Sequence, residues 1–136
     1  MEVGDRIRVD TGINGLGTAL KILRERRTLS LRELGQLSDV DHAYIHRLEK
    51  GNKKSPSLET LAKLLRVLRT NDREAEFLRW LAGHPESDPA VVEYALKDDS
   101  IDIEMFTVAA SVVHRRTTRP DPAALFKRIR RIFSED

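Results

Sequence analysis

LKILRERRTLSLRELGQLSDVDHAYIHRLEKGNKKSPSLETLAKLL occupies residues 20–65, and its apolar residues recur at helical spacing. Leu16, Leu20 and Leu23 fall at i, i+4 and i+7, and Leu58, Leu61, Leu65 and Leu68 repeat the stripe, so each segment has one face to bury. Ser30 and Glu33 have the spacing of a capping box, in which hydroxyl and carboxylate each satisfy a free backbone donor. Gly51 is a natural helix stop, and Pro56-Ser57 a natural restart with Ser57 as N-cap. Between them, a helix carrying Leu31, Leu34 and Leu37 is followed by Ser38-Asp39-Val40 and then by a short helix carrying Tyr44, Ile45 and Leu48. A turn that short forces the two helices to cross steeply, with Val40, Ile45 and Leu48 packing against Leu34.

This is helix-turn-helix geometry. Asp41 is the expected N-cap of the second helix, which puts His42, Ala43, His46 and Arg47 on the side away from Ile45 and Leu48. Those side chains suit contact with base edges in a major groove. Working outward, Asp88-Pro89 and Asp121-Pro122 both read as N-cap followed by Pro at the first helical position. Helices are expected near residues 16–27, 31–37, 42–50, 58–69, 73–82, 89–97, 102–114 and 122–133, an all-α chain. Only Asp5 to Asp10 alternates, through Ile7 and Val9, and it fits a short strand or a flexible arm. Gly, His, Pro, Ser and Asp cluster at 83–88, which suggests an arm over 1–16, a first domain over 17–83 and a helical region over 84–136.

Charge supports that division. The chain has 136 residues with 24 Lys and Arg against 22 Asp and Glu, a net +2. By segment the balance is −1 over 1–16, +5 over 17–83, −6 over 84–113 and +4 over 114–136. Different parts have different jobs, and the small total does not argue against nucleic acid. The absence of cysteine removes disulfides, thiol catalysis and Cys-ligated zinc. There is no run of about 18 apolar residues, and MEVGDRIRVD lacks an apolar signal core, so a soluble, cytoplasmic protein without membrane contact is expected. No Gly-x-Ser-x-Gly, His-Glu-x-x-His or Walker A pattern occurs, and the Gly-rich run at 12–17 is not followed by the Lys-Ser/Thr of a nucleotide loop. A non-enzyme without cofactor or metal is expected.

At residues 17–83 the sequence resembles the Cro/repressor-type (XRE) helix-turn-helix family. The resemblance rests on Leu-x-x-Leu-Arg in the first helix, Ser30-x-x-Glu33-Leu34, the Val40 turn, Tyr44-Ile45-x-Arg47-Leu48-Glu49-x-Gly51, and Pro56-Ser57-x-x-Thr60-Leu61, five features in register. It implies a five-helix, lambda-repressor-like domain, here followed by about three further helices. It also implies an ion pair between Arg24 and Glu49, base-facing positions at His42, Ala43, His46 and Arg47, and a phosphate-lining loop at Asn52, Lys53, Lys54 and Ser55. Leu31 stands where many members place a Gln that touches phosphate or base, so that contact is expected to be missing or replaced by phosphate contacts from Ser30 and Arg32. Asp39 replaces a common turn Gly, and Asp41 a common Ser or Thr cap.

Plainer readings stand beside these. Arg47 also fits a solvated helix Arg, and Lys53-Lys54 a soluble loop. His42 and His46 at i, i+4 make a poor metal site without a third ligand. Arg6 and Arg8 fit a minor-groove arm, though a simple tail suffices. Beyond residue 85 three amphipathic helices present Val91, Val92, Ala95 and Leu96, then Ile101, Ile103, Phe106, Ala109, Ala110 and Val113, then Leu125, Phe126, Ile129, Ile132 and Phe133. They pack either onto the first domain or onto a second copy. Because family members bind two-fold operators as dimers, Phe106, Val113, Phe126, Ile129 and Phe133 are expected at a dimer contact. The basic tail fits an ion-pair partner of the acidic segment, a second phosphate patch or a membrane-surface helix. The resulting expectation is a DNA-binding transcription repressor acting as a homodimer on double-stranded DNA. The alternative is an antitoxin or adaptor that caps a protein partner through Phe106, Phe126 and Phe133.

Overall fold

The computed structural model describes residues 14–52, 55–114 and 121–134, with residues 113 and 114 described in their backbone alone. The described residues form eight helices and no strand: α1 (Gly15–Arg26), α2 (Leu31–Ser38), α3 (His42–Glu49), α4 (Leu58–Leu68), α5 (Asp72–Gly83), α6 (Pro89–Lys97), α7 (Ile103–His114) and α8 (Pro122–Ser134). Helix starts follow local chemistry. Asn14 Oδ1 accepts from the Gly17 amide at 2.8 Å, Ser57 Oγ from Thr60 at 3.1 Å and Asp88 Oδ1 from Ala90 at 2.8 Å. Ser30 and Glu33 form the expected box: the Glu33 amide donates to Ser30 Oγ at 3.0 Å and the Ser30 amide to Glu33 Oε1 at 2.8 Å. Asn71 and Glu74 build a second such box and start α5 one residue earlier than expected.

The apolar faces converge on a continuous core. It contains Leu16, Leu20 and Leu23 of α1, Leu34 of α2, Ile45 and Leu48 of α3 and Leu61 and Leu64 of α4, then Phe77, Val92, Phe106 and Phe126. The most extensive helix pairing is between α1 and α6, across the expected boundary at 83–88. Phe77 of α5 stacks on Phe106 of α7 at 4.5 Å, Trp80 meets Phe106 edge-on at 5.5 Å, and Tyr94 stacks on Phe126 of α8 at 5.5 Å. Such ring pairs add about 0.5–1.5 kcal/mol beyond their area burial.

The expectation of a dimer contact is corrected at three residues. Phe106, Phe126 and Ile129 are no more than 4% exposed inside this chain, so they have no surface to offer a second copy. Truncating either Phe removes about 3–5 kcal/mol from the monomer before any assembly is affected. Phe133 is 39% and Ile132 65% exposed, while the side chain of Val113 lies outside the described residues. Phe106 is enclosed against Phe77 and Trp80 of α5 and Phe126 against Tyr94 of α6, partners that an apolar stripe does not specify.

Two arginines tie the joint. Arg73 of α5 donates through Nη1 to the carbonyls of Ala95 at 2.9 Å, Asp98 at 3.2 Å and Ile101 at 2.8 Å, and lies 4.9 Å over the Phe77 ring. Arg26 of α1 donates to Leu96 O at 2.9 Å and pairs with Glu74 at 2.6 Å. The carbonyls that α6 leaves open at its C-terminus are thereby satisfied by cations from the first half of the chain. From the basic α8, Arg130 reaches Ser100 Oγ at 2.9 Å and Asp98 Oδ2 at 3.3 Å. The Ser100 hydroxyl, then its amide, with Arg130 and Arg73 behind them, hold the Asp98 carboxyl below its ordinary value.

Candidate nucleic-acid interface

The α2–α3 corner is made by a residue few side chains tolerate in that shape. Asp39 closes α2 with φ 62° and ψ 36°, and its amide and that of Val40 both donate to Gly35 O, at 2.9 and 3.2 Å. Asp is among the non-glycine residues that enter this left-handed region at least cost. Gly35 permits the crossing, because a Cβ there would lie 2.9 Å from both His42 Cβ and Val40 O. Asp41 Oδ1 then caps α3 by accepting from Ala43 at 3.2 Å.

The inward side of α3 is fixed at both ends. Ile45 and Leu48 are buried. Glu49, 7% exposed, receives Arg24 Nε at 2.7 Å and Nη2 at 3.0 Å, while Nη1 donates to Leu29 O at 2.9 Å. One guanidinium thus joins α1, the α1–α2 connection and α3, in the bidentate geometry that makes such pairs directional. The hydrogen bonds to Glu49 hold Arg24 above its ordinary value against the opposing effect of burial. α1 comes close enough for this because Gly17 has no side chain: a Cβ there would lie 2.5 Å from Glu49 O and 2.7 Å from Leu48 O. The glycines of the 12–17 run that lie in α1 therefore serve helix packing. That need was not readable from the sequence, because the opposing carbonyls, those of Leu48 and Glu49 for Gly17 and of Ser87 for Gly15, lie far along the chain.

With its inner side held, α3 turns His42, Ala43, His46 and Arg47 outward, all four exposed. Tyr44 is half-buried and packs against the core. The helix ends in a Schellman closure: Asn52 N donates to Arg47 O at 2.9 Å and Gly51 N to Leu48 O at 3.1 Å, with Gly51 at φ 78°. Asn52 and Ser55 are exposed at the two ends of the following loop, and Lys53 and Lys54 lie outside the described residues. Ser30 and Arg32 are exposed at the start of α2, where free helix amides favour an anion. Half-buried Leu31 lies against the core, which accounts for an apolar residue there. Arg6 and Arg8 lie outside the described residues.

Sequence reading missed two cations. Lys50, one turn beyond His46, and Lys21 of α1 share a hollow with Thr18, Leu31 and His46, and with the acids Glu25 and Glu93. The i, i+4 step from His46 to Lys50 was the available signal. Among the described residues no group of three His, Asp or Glu side chains suits a metal, and no helix is long and apolar enough to cross a membrane.

The family model described as a helix-turn-helix domain matches residues 16–78, from the first turn of α1 into α5. No curated protein and no solved structure matches the chain. By this match residues 16–78 are similar to a helix-turn-helix domain, a domain found in XRE-like DNA-binding regulators.

Proposed function

We propose that this protein is a cytoplasmic, sequence-specific transcription repressor that binds a two-fold symmetric operator as a homodimer. The carrying observation is the two-sidedness of α3, whose inner side is immobilised by Leu48, Ile45 and the Arg24–Glu49 pair while His42, Ala43, His46 and Arg47 form an outer row. A rigid helix with an exposed polar row fits a major groove, where Arg47 can bind guanine O6 and N7 bidentately and the imidazoles can donate or accept. Ser30, Arg32, Asn52, Lys53, Lys54 and Ser55, with Lys21 and Lys50 added, are assigned to phosphate, which fixes register without reading sequence. Bound over a promoter, such a dimer excludes polymerase without any catalytic group.

Selection of bound duplexes from a random pool by the full-length protein tests this. A two-fold symmetric consensus with half-sites about one helical turn apart is expected. Recovery of no enriched sequence rejects the reading. The alternative, an antitoxin or adaptor that caps a protein partner, would need a surface other than Phe106 and Phe126, as the homodimer does, because the chain's own core encloses both.

A further inference from the structure

Where the helix-turn-helix half meets the C-terminal helices there is a hollow of about 330 Å³, lined by Trp80, Gly83, His84, Pro85, Glu86 and Ser111, among others. The hollow opens to solvent, and its volume falls at the lower end of small-molecule sites, which favour such junctions. Its chemistry is specific. The Trp80 indole and the His84 imidazole stack at 4.0 Å with 10° between their planes, and His84 Nδ1 lies 2.9 Å from Trp80 O, so the ring pair is held as a flat wall. Pro85, Gly83 and Ala110 add apolar surface, and the lining contains one carboxylate, the exposed Glu86. Flat rings and a single negative charge match a small planar aromatic cation, which gains from the rings' π faces as well as from the carboxylate.

The hollow is also wired to α3. Its floor, the 84–88 connection, presses on the first turn of α1: Leu16 N donates to Pro85 O at 3.4 Å, and a Cβ on Gly15 would lie 2.6 Å from Ser87 O. Two residues on, Gly17 is equally close to the carbonyls of Leu48 and Glu49. Close backbone packing thus runs from the 84–88 connection through the first turn of α1 to the end of α3.

We propose that this hollow is an effector site for a small planar aromatic cation whose binding alters the DNA affinity of α3. Only this second property rests on the DNA-binding reading. Trp80 is the one tryptophan of the chain, so its emission reports occupancy directly. Benzamidine is the probe, with neutral benzamide and anionic benzoate as isosteric controls, titrated into the full-length protein. A saturable change in Trp80 emission is expected with benzamidine, a weaker one with benzamide and none with benzoate. Gly83→Leu adds a side chain to the lining at a position where a Cβ meets nothing within 4 Å, and should abolish the response. Glu86→Gln should narrow the advantage of benzamidine over benzamide. A response that does not saturate, that survives Gly83→Leu, or that ranks benzoate with benzamidine overturns the site. In parallel, saturating benzamidine should change the affinity for the selected duplex about fivefold or more in the native protein and not in Gly83→Leu. An unchanged affinity with the emission response intact overturns the coupling. If no duplex is bound at all, the DNA-binding reading has failed while the emission titration still decides the site.

Discussion

Arg24 and Glu49 illustrate what one pair contributes when both partners are nearly enclosed, their side chains 12% and 5% exposed. Removing the cation alone strands a buried carboxylate, so Arg24→Ala should lose about 3–5 kcal/mol of unfolding free energy in urea, with the double variant Arg24→Leu/Glu49→Leu losing less than the sum of the two single changes. Additive losses would show that the pair acts as two independent side chains. Arg47 is the opposite case, exposed and without a structural duty. Arg47→Ala should leave the urea midpoint in place and weaken the selected duplex by about 1–3 kcal/mol, with a smaller loss on random DNA. Equal losses on both would make it a phosphate contact. The Arg24–Glu49 pair was legible through the family resemblance, and the outward side of α3 that carries Arg47 through helical periodicity. Gly15 and Gly17 were not: what forbids a side chain there is the backbone of Ser87, Leu48 and Glu49, which only tertiary packing brings near.

Helices were equally legible where their starts are local. Ser30-x-x-Glu33 and Asp88-Pro89 mark their N-termini within a turn, and Asn71-x-x-Glu74 carried the same signal for α5, which the apolar stripe alone placed one residue late. What an amphipathic helix meets is a different matter. The stripes of α6 to α8 announced a buried face, and both an intramolecular and an intermolecular partner satisfied them equally. Arg73 helps decide it. Its guanidinium collects carbonyls from α6 and the α6–α7 connection, while Phe77 supports it from below. Arg73→Met keeps most of the stem's packing and removes the donors, so a loss of about 1.5–3 kcal/mol is expected by thermal or urea unfolding. If α6 and the first half of the chain are thermodynamically separate, the variant should instead show a second, earlier transition with the main one unmoved.

For the molecule as a whole, the net +2 conceals a basic helix-turn-helix half, an acidic α6–α7 segment and a basic α8, and part of the last two cancels internally through Arg130 and Asp98. With Phe106, Phe126 and Ile129 withdrawn into the core, the large apolar side chains left exposed among the described residues are Val108 at 38%, Ile132 at 65% and Phe133 at 39% exposure, with Leu37 and Leu58 on the helix-turn-helix half. The end of α8 is the continuous part of this set, flanked by exposed Arg128 and Arg131. If the dimer forms there, Ile132→Glu/Phe133→Glu in the full-length protein should halve the solution mass at concentrations where the native chain is dimeric. The melting temperature should stay close to the native one, because neither side chain is enclosed in the monomer. The same variant should bind a two-fold duplex with the affinity of an isolated half-site. Counterion release should then be halved with the number of phosphates met, flattening the dependence of affinity on salt by about half. A dimer of undiminished mass would move the contact to the Leu37 and Leu58 side, next to the loop assigned to phosphate, where the spacing of half-sites would have to be correspondingly short.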